Sequence, residues 1–214
     1  MTIHVTPPAS SALDAPAVDS GRPAAASERS RMFGVIGLAA VMLVATSVFW
    51  AFEALPFQDL PAHAGLIAMR HRFETSAFEQ QFYVLAPHIG PYSLFRFLGE
   101  AFVRVIGPVG AVRALGTLPV IATPLAMLFA RRRLYNDTSP TYGFLGVALS
   151  FGIMTLLGFA SYLLGVAVML VGLTLWLDLL AATDDAVDPR AVRRRELIVA
   201  AYAPLMFVAH GHAF

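Results

Sequence analysis

The chain has 214 residues, 57% of them hydrophobic and only 14% charged, with a mean hydropathy of +0.68. Soluble domains carry about 25% charged residues, so this composition argues for a multi-spanning membrane protein and against a soluble enzyme, a nucleic-acid binder or a disordered chain. Net charge is +1 and names no partner, all 15 basic residues are Arg, and the lack of Cys removes disulfides, thiolate chemistry and zinc-finger spacings.

Residues 1–31 are rich in Pro, Ala and Ser and show no apolar periodicity. A disordered tail is expected there. It lacks the early apolar core of a signal peptide. Residues 32–52 then form an uncharged run of 21, enough for one membrane-spanning helix, which needs about 20. Arg22, Arg29 and Arg31 precede it, so the tail is expected in the cytoplasm.

Residues 53–106 mix charges with Pro56, Pro61, Pro87 and Pro91. An extracytoplasmic excursion with interfacial helices is expected. Arg96, Glu100 and Arg104 recur at four-residue intervals and share one stripe of a helix. That helix either lies in the interface or crosses the bilayer with its charged stripe inward. Residues 114–130 are uncharged and end at Arg131, Arg132 and Arg133. The prolines at 119 and 124 are tolerated in such a span.

The uncharged run 138–177 is 40 residues long, twice one span. A helical hairpin turning near Gly158, Phe159, Ala160 and Ser161 is expected. Loop 181–195 holds Arg190, Arg193, Arg194 and Arg195. A last apolar run starts at Leu197 and continues to Phe214, which points to a fragment of a longer protein. The expected fold is therefore an all-α polytopic transmembrane bundle over 32–214. If 92–106 stays in the interface there are five spans, and ten of the fifteen Arg face the cytoplasm. If it crosses there are six, and seven of those Arg move outside. The positive-inside rule favours five.

Three constellations could carry chemistry. Asp59 and His63 lie one helical turn apart just beyond the first span. They suit a base with its orienter, or a divalent metal. Equally, Asp59 before Leu60 and Pro61 suits a helix cap. The six histidines are His4, His63, His71, His88, His210 and His212, and the last five would face the extracytoplasmic side in the five-span topology. The Arg96, Glu100, Arg104 stripe could hold a diphosphate or a lipid headgroup, or it could be an internal charge ladder. Glycines at 143, 146, 152, 158, 165 and 172 suit close helix contacts.

The order of pieces resembles the N-terminal half of bacterial GT-C type membrane glycosyltransferases. The pieces are Gln58-Asp59-Leu60-Pro61-Ala62-His63, Pro87-His88-Ile89-Gly90-Pro91-Tyr92, Gly107-Pro108 leading to Arg113-Ala114-Leu115, and Arg131-Arg132-Arg133-Leu134. Gly158-Phe159-Ala160-Ser161-Tyr162 and the ending His210-Gly211-His212 also fit an uncharacterised branch with this architecture. The resemblance implies a polyprenyl-phosphate-linked sugar donor used at the outer face of the bacterial inner membrane. It matches Asp59 to the catalytic acidic residue of the first outer loop. It implies crossing by 92–106, hence six spans. Asp59 lacks the acidic neighbour of that motif, since Gln58 and Leu60 flank it.

The site expected from all this has Asp59 and His63 as catalytic residues, with Asp59 as the general base, or orienting the acceptor or a metal, and His63 as its polar partner. Arg96, Arg104 and His88 are the substrate-binding candidates. A divalent metal is left open. The partners expected are the lipid bilayer and the lipid-linked donor, with no nucleic acid. A transporter or channel component is the alternative, and half-helices broken at Pro119 and Pro124 would be its signature. A multi-spanning protein without catalysis is the third.

Overall fold

A computed structural model describes residues 24–54, 57–85, 89–184 and 188–209. Among them the chain forms eight helices and no strand. They are α1 (Ala24–Ser47), α2 (Leu60–Arg72), α3 (Ala77–Phe82), α4 (Ser93–Tyr135), α5 (Thr141–Ser150), α6 (Ile153–Leu156), α7 (Ala160–Asp184) and α8 (Pro189–Ala209). The segments Glu28–Ser47, Ser93–Tyr135 and Ala160–Ala182 are long and apolar enough to cross a membrane. Side chains such as Phe33, Leu43 and Val44 on α1 are exposed, as expected for a helix facing acyl chains and not water.

α1 begins at Ala24, eight residues before the uncharged run, so the end of the expected tail is helical. Residues 1–23 lie outside the described residues. The long α4 is two helices in one line. Gly107 has φ 69° and ψ 175°, and it precedes Pro108. A proline disfavours helical backbone in the residue before it and has no amide to donate, and glycine tolerates the left-handed φ. At 1.5 Å per residue, 93–106 is about 21 Å long and 108–135 about 42 Å. Only the second half reaches across a ~30 Å hydrocarbon core. Pro119 and Pro124 interrupt neither half, and both are buried.

The uncharged run 138–177 does break at Gly158, which has φ 81°. Its two arms are unequal, however. α7 has 25 residues, whereas α5 has 10, about 15 Å of helix, and is followed by the bend at 151–152 and the single turn of α6. The first arm is thus a short helix with an irregular extension and not one continuous helix. Gly146 explains why α5 sits where it does. A Cβ there would collide with the Pro124 backbone, so α5 and α4 meet backbone to backbone. Gly143 likewise accepts Leu38 of α1, and Gly172 of α7 accepts Met206 of α8.

α2 packs on the bundle through one face. Leu60, Ala64 and Ile67 recur on one face and are buried against α4, in a cluster with Phe49, Phe95, Val112, Leu115 and Ala160. Gly99 makes room for Ile67 and Gly116 for Phe49. The chain after α1 is strapped down as well. Trp50 Nε1 donates to Thr117 Oγ1 at 3.0 Å, and the Arg113 guanidinium donates to the Phe52 and Glu53 carbonyls.

The bundle collects the arginine clusters at one end. Arg31 and Arg132 share a groove with Asp137. Arg131 Nη2 donates to Asp137 Oδ2 at 2.8 Å. Asp178 of α7 takes Arg133 of α4 at 2.8 Å and Arg195 of α8 at 3.4 Å. Asp59, α2 and the start of α7 occupy the opposite end.

Candidate functional site

At that opposite end a cleft of about 580 Å³ opens between α2, the segment before α4, the first turns of α4 and the start of α7. Its polar lining is His63, Arg70, Ser93, Arg96, Glu100 and Ser161. Apolar walls come from Leu66, Ile67, Val84, Leu85 and Phe95. The cleft therefore offers cations and hydrogen-bonding groups beside an oily surface.

The local sequence accounts for each position. α2 starts after Asp59, with Pro61 in the first turn, where a missing amide costs nothing. His63 follows one turn later, and its amide bonds the Asp59 carbonyl at 3.0 Å. Its ring packs on Phe95 of α4, centroids 5.0 Å apart. α3 is capped by Ser76, whose Oγ accepts the Glu79 amide. Arg72 holds the buried Glu79 carboxylate at 2.9 Å. α4 opens behind Tyr92, a non-glycine residue at φ 67°, and Ser93 Oγ accepts the Gly90 amide at 2.9 Å.

Burial holds the His63 imidazole below its usual value, and the nearby Asp59 carboxylate opposes that in part. His63 is therefore mostly neutral at pH 7, with a nitrogen lone pair for a proton or a hydrogen bond. Arg96 Nη2 reaches Ser93 Oγ at 3.4 Å, and its guanidinium lies 5.3 Å from the Phe97 ring centre.

Glu100 is the carboxylate of this cleft. Arg70 Nε and His71 Nδ1 of α2 approach it at 3.9 and 3.8 Å, and Arg104, one turn along α4, at 3.6 Å. Within the stripe, Glu100 and Arg104 thus form an i,i+4 ion pair, whereas Arg96 turns to Ser93 and the Phe97 ring. The cross-helix partners Arg70 and His71 were not foreseen from sequence. Only the register of α2 on α4 brings them in.

Of the residues singled out in the sequence, His63 and Arg96 line the cleft together. Asp59 sits one turn behind His63 and outside the lining. Arg104 is exposed on the far side of Glu100. His88, His4, His210 and His212 lie outside the described residues. Asp59 occupies the cap position of α2, yet its side chain makes no cap hydrogen bond. Its backbone is engaged instead, the amide donating to the Leu157 carbonyl at 3.1 Å. Among the described residues no three His, Asp or Glu gather as a metal site. Asp59 and His63 form a pair without a third ligand among those residues.

No family profile, curated protein or solved structure matches this chain.

Proposed function

We propose that the chain is a five-crossing membrane protein that transfers a sugar from a polyprenyl-phosphate carrier to an acceptor at the cleft. The observation that carries this reading is the cleft's composition. Arg96 and Arg70 stand beside a neutral His63, and an apolar wall continues from them. A lipid phosphate ester needs that combination, with guanidinium for phosphate and apolar side chains for the prenyl chain.

Five crossings are supported by the common end of the three Arg clusters and by the length of 93–106, too short to cross alone. The arginine end is then cytoplasmic and the cleft extracytoplasmic. The signature of the transporter alternative is missing at Pro119 and Pro124, where the helix runs on.

In the proposed reaction an acceptor hydroxyl oxygen attacks the anomeric carbon. The bond from that carbon to the phosphate oxygen breaks, and the lipid phosphate leaves with the electron pair. His63 takes the hydroxyl proton. Arg96 and Arg70 stabilise the leaving phosphate. Asp59 acts through His63 as a positioning residue. Arg104 bears on the donor only through Glu100.

The test is transfer of radiolabel from a polyprenyl-phosphate sugar in membranes containing the full open reading frame. Arg96→Gln should lower transfer about 100-fold or more, the scale on which lost transition-state charge stabilisation acts. Unchanged transfer by a well-inserted Arg96→Gln protein would remove the cleft from the reaction.

A further inference from the structure

We propose that the start of α8, at the end opposite the cleft, is a binding site for an anionic phospholipid.

α8 begins with Asp188 capping its first turn, Oδ1 accepting the Arg190 amide at 3.0 Å, and Pro189 opening the helix. Four arginines fall in the next two turns. One is consumed internally. Arg195 lies on the α7 side, where it meets the Asp178 carboxylate at 3.4 Å and its carbonyl at 2.8 Å. The other three, Arg190, Arg193 and Arg194, point outward and are exposed. They have no acidic partner among the described residues.

These three share one face of the helix with Leu197, Ile198 and Ala201, one turn further on. The six residues line an open groove of about 440 Å³. Its polarity is ordered along the helix, guanidiniums first and aliphatic side chains next. A phospholipid has the same order, phosphate first and acyl chain next. Guanidiniums also pair with phosphate in a planar, two-bond geometry that suits this headgroup. The arginines stand at the positive end of the α8 dipole, which gives them no relief within the helix. Basic residues at the cytoplasmic edge of a span attract anionic lipid by about 1 kcal/mol each, which is about fivefold in affinity per residue.

The alternative occupants separate experimentally. Water alone would show no lipid preference. A free anion would use the arginines and ignore the aliphatic turn. A second copy of the chain would fill the groove without lipid.

The test uses the purified full chain in detergent, with dioleoylphosphatidylglycerol, dioleoylphosphatidylcholine and inorganic phosphate as separate probes. Native mass spectrometry reads bound lipid, and thermal unfolding reads the shift each probe produces. The expected result is retention of phosphatidylglycerol at least tenfold above phosphatidylcholine, weakened at 0.5 M salt. The Arg190→Gln, Arg193→Gln, Arg194→Gln triple variant should lose the preference and keep the lipid-free unfolding temperature, because the Asp178 contact is untouched. Should the triple variant fail to fold, Arg193→Gln alone should weaken retention about fivefold. Equal retention of the two lipids, a preference that survives the substitutions, an equal thermal shift from inorganic phosphate, or a dimer in lipid-free detergent would each overturn the proposal.

Discussion

The backbone of Asp59 lies so close to Gly158 that a Cβ on the glycine would stand 2.8 Å from the Asp59 amide nitrogen. The two residues are 99 positions apart in sequence, and each marks a junction. Asp59 opens α2, and Gly158 turns α6 into α7. The Asp59 amide bonds the Leu157 carbonyl at 3.1 Å. This contact joins the start of α2, which supplies His63, to the start of α7, which supplies Ser161.

Gly158→Ala should therefore be strongly destabilising. A side chain at φ 81° costs about 1–2 kcal/mol, and crowding against fixed backbone adds about 1–3. Denaturation in detergent should show a loss of about 2–5 kcal/mol on these two grounds. Gly152→Ala is the control, because open space surrounds Gly152 and its φ of −137° suits any residue. Equal losses at both sites would refute the close-approach argument.

Asp178 should matter more than its chemistry alone implies. Its side chain is 12% exposed and joins α4, α7 and α8 through Arg133 and Arg195. Asp178→Asn removes one charge and leaves two guanidiniums facing an amide. The cost of breaking a fully buried pair is about 3–5 kcal/mol. Here both arginines are partly solvated, so about 1–3 kcal/mol is expected. A double-mutant cycle should give a larger coupling for Asp178 with Arg133 than with Arg195, following the two distances.

The crossing scheme makes a direct labelling prediction, helped by the absence of native cysteine. Thr75→Cys lies between α2 and α3 at the cleft end. Thr138→Cys lies between α4 and α5 at the arginine end. Both positions are exposed. A membrane-impermeant thiol reagent on intact cells should label the first and spare the second. The reverse pattern would invert the molecule in the membrane, and labelling of both would exclude the common-end arrangement.

The helices were legible because apolar runs of the right length have few alternatives. The break at Gly158 was legible for the same reason, since 40 uncharged residues must turn. The register between helices was not. Glu100 meets Arg70 and His71 only because Ile67 packs into the space left at Gly99, and no local pattern encodes that docking. The small size of α5 was hidden too, because Leu, Phe and Val read alike in a helix and in an irregular buried segment. Asp178 did carry a signal. It is the sole charged residue in 138–183, and a lone carboxylate within an apolar helix calls for a partner.

His63 sets a pH dependence of stability. Its folded value lies below the ordinary 6.5 because of burial, so the unfolded chain binds its proton more readily. Stability from this residue is complete above pH 6.5 and declines as pH falls below it, down to the folded value. The unfolding temperature of the wild type should drop over that window, and His63→Gln should flatten the slope. An identical slope in the variant would place the titration elsewhere.

Asp59→Asn separates the two roles that the sequence left open for this residue. A capping role needs the side chain, but that side chain makes no cap hydrogen bond, and Asn caps about as well as Asp. The variant should therefore insert and unfold as the wild type does. Its effect should appear at His63. The Asp59 charge is what partly restores the imidazole's affinity for a proton against burial. Removing it leaves desolvation unopposed and lowers that affinity further. If His63 is the base, the acid limb of the pH–rate profile must move to lower pH in Asp59→Asn. The rate at neutral pH should fall as well, because a weaker base accepts the proton less well in the transition state. His63→Gln should abolish the limb altogether and reduce transfer about 100- to 10,000-fold, the usual range for a lost general base. An acid limb unmoved by Asp59→Asn would sever Asp59 from His63 and reduce the pair to two neighbours on one helical turn.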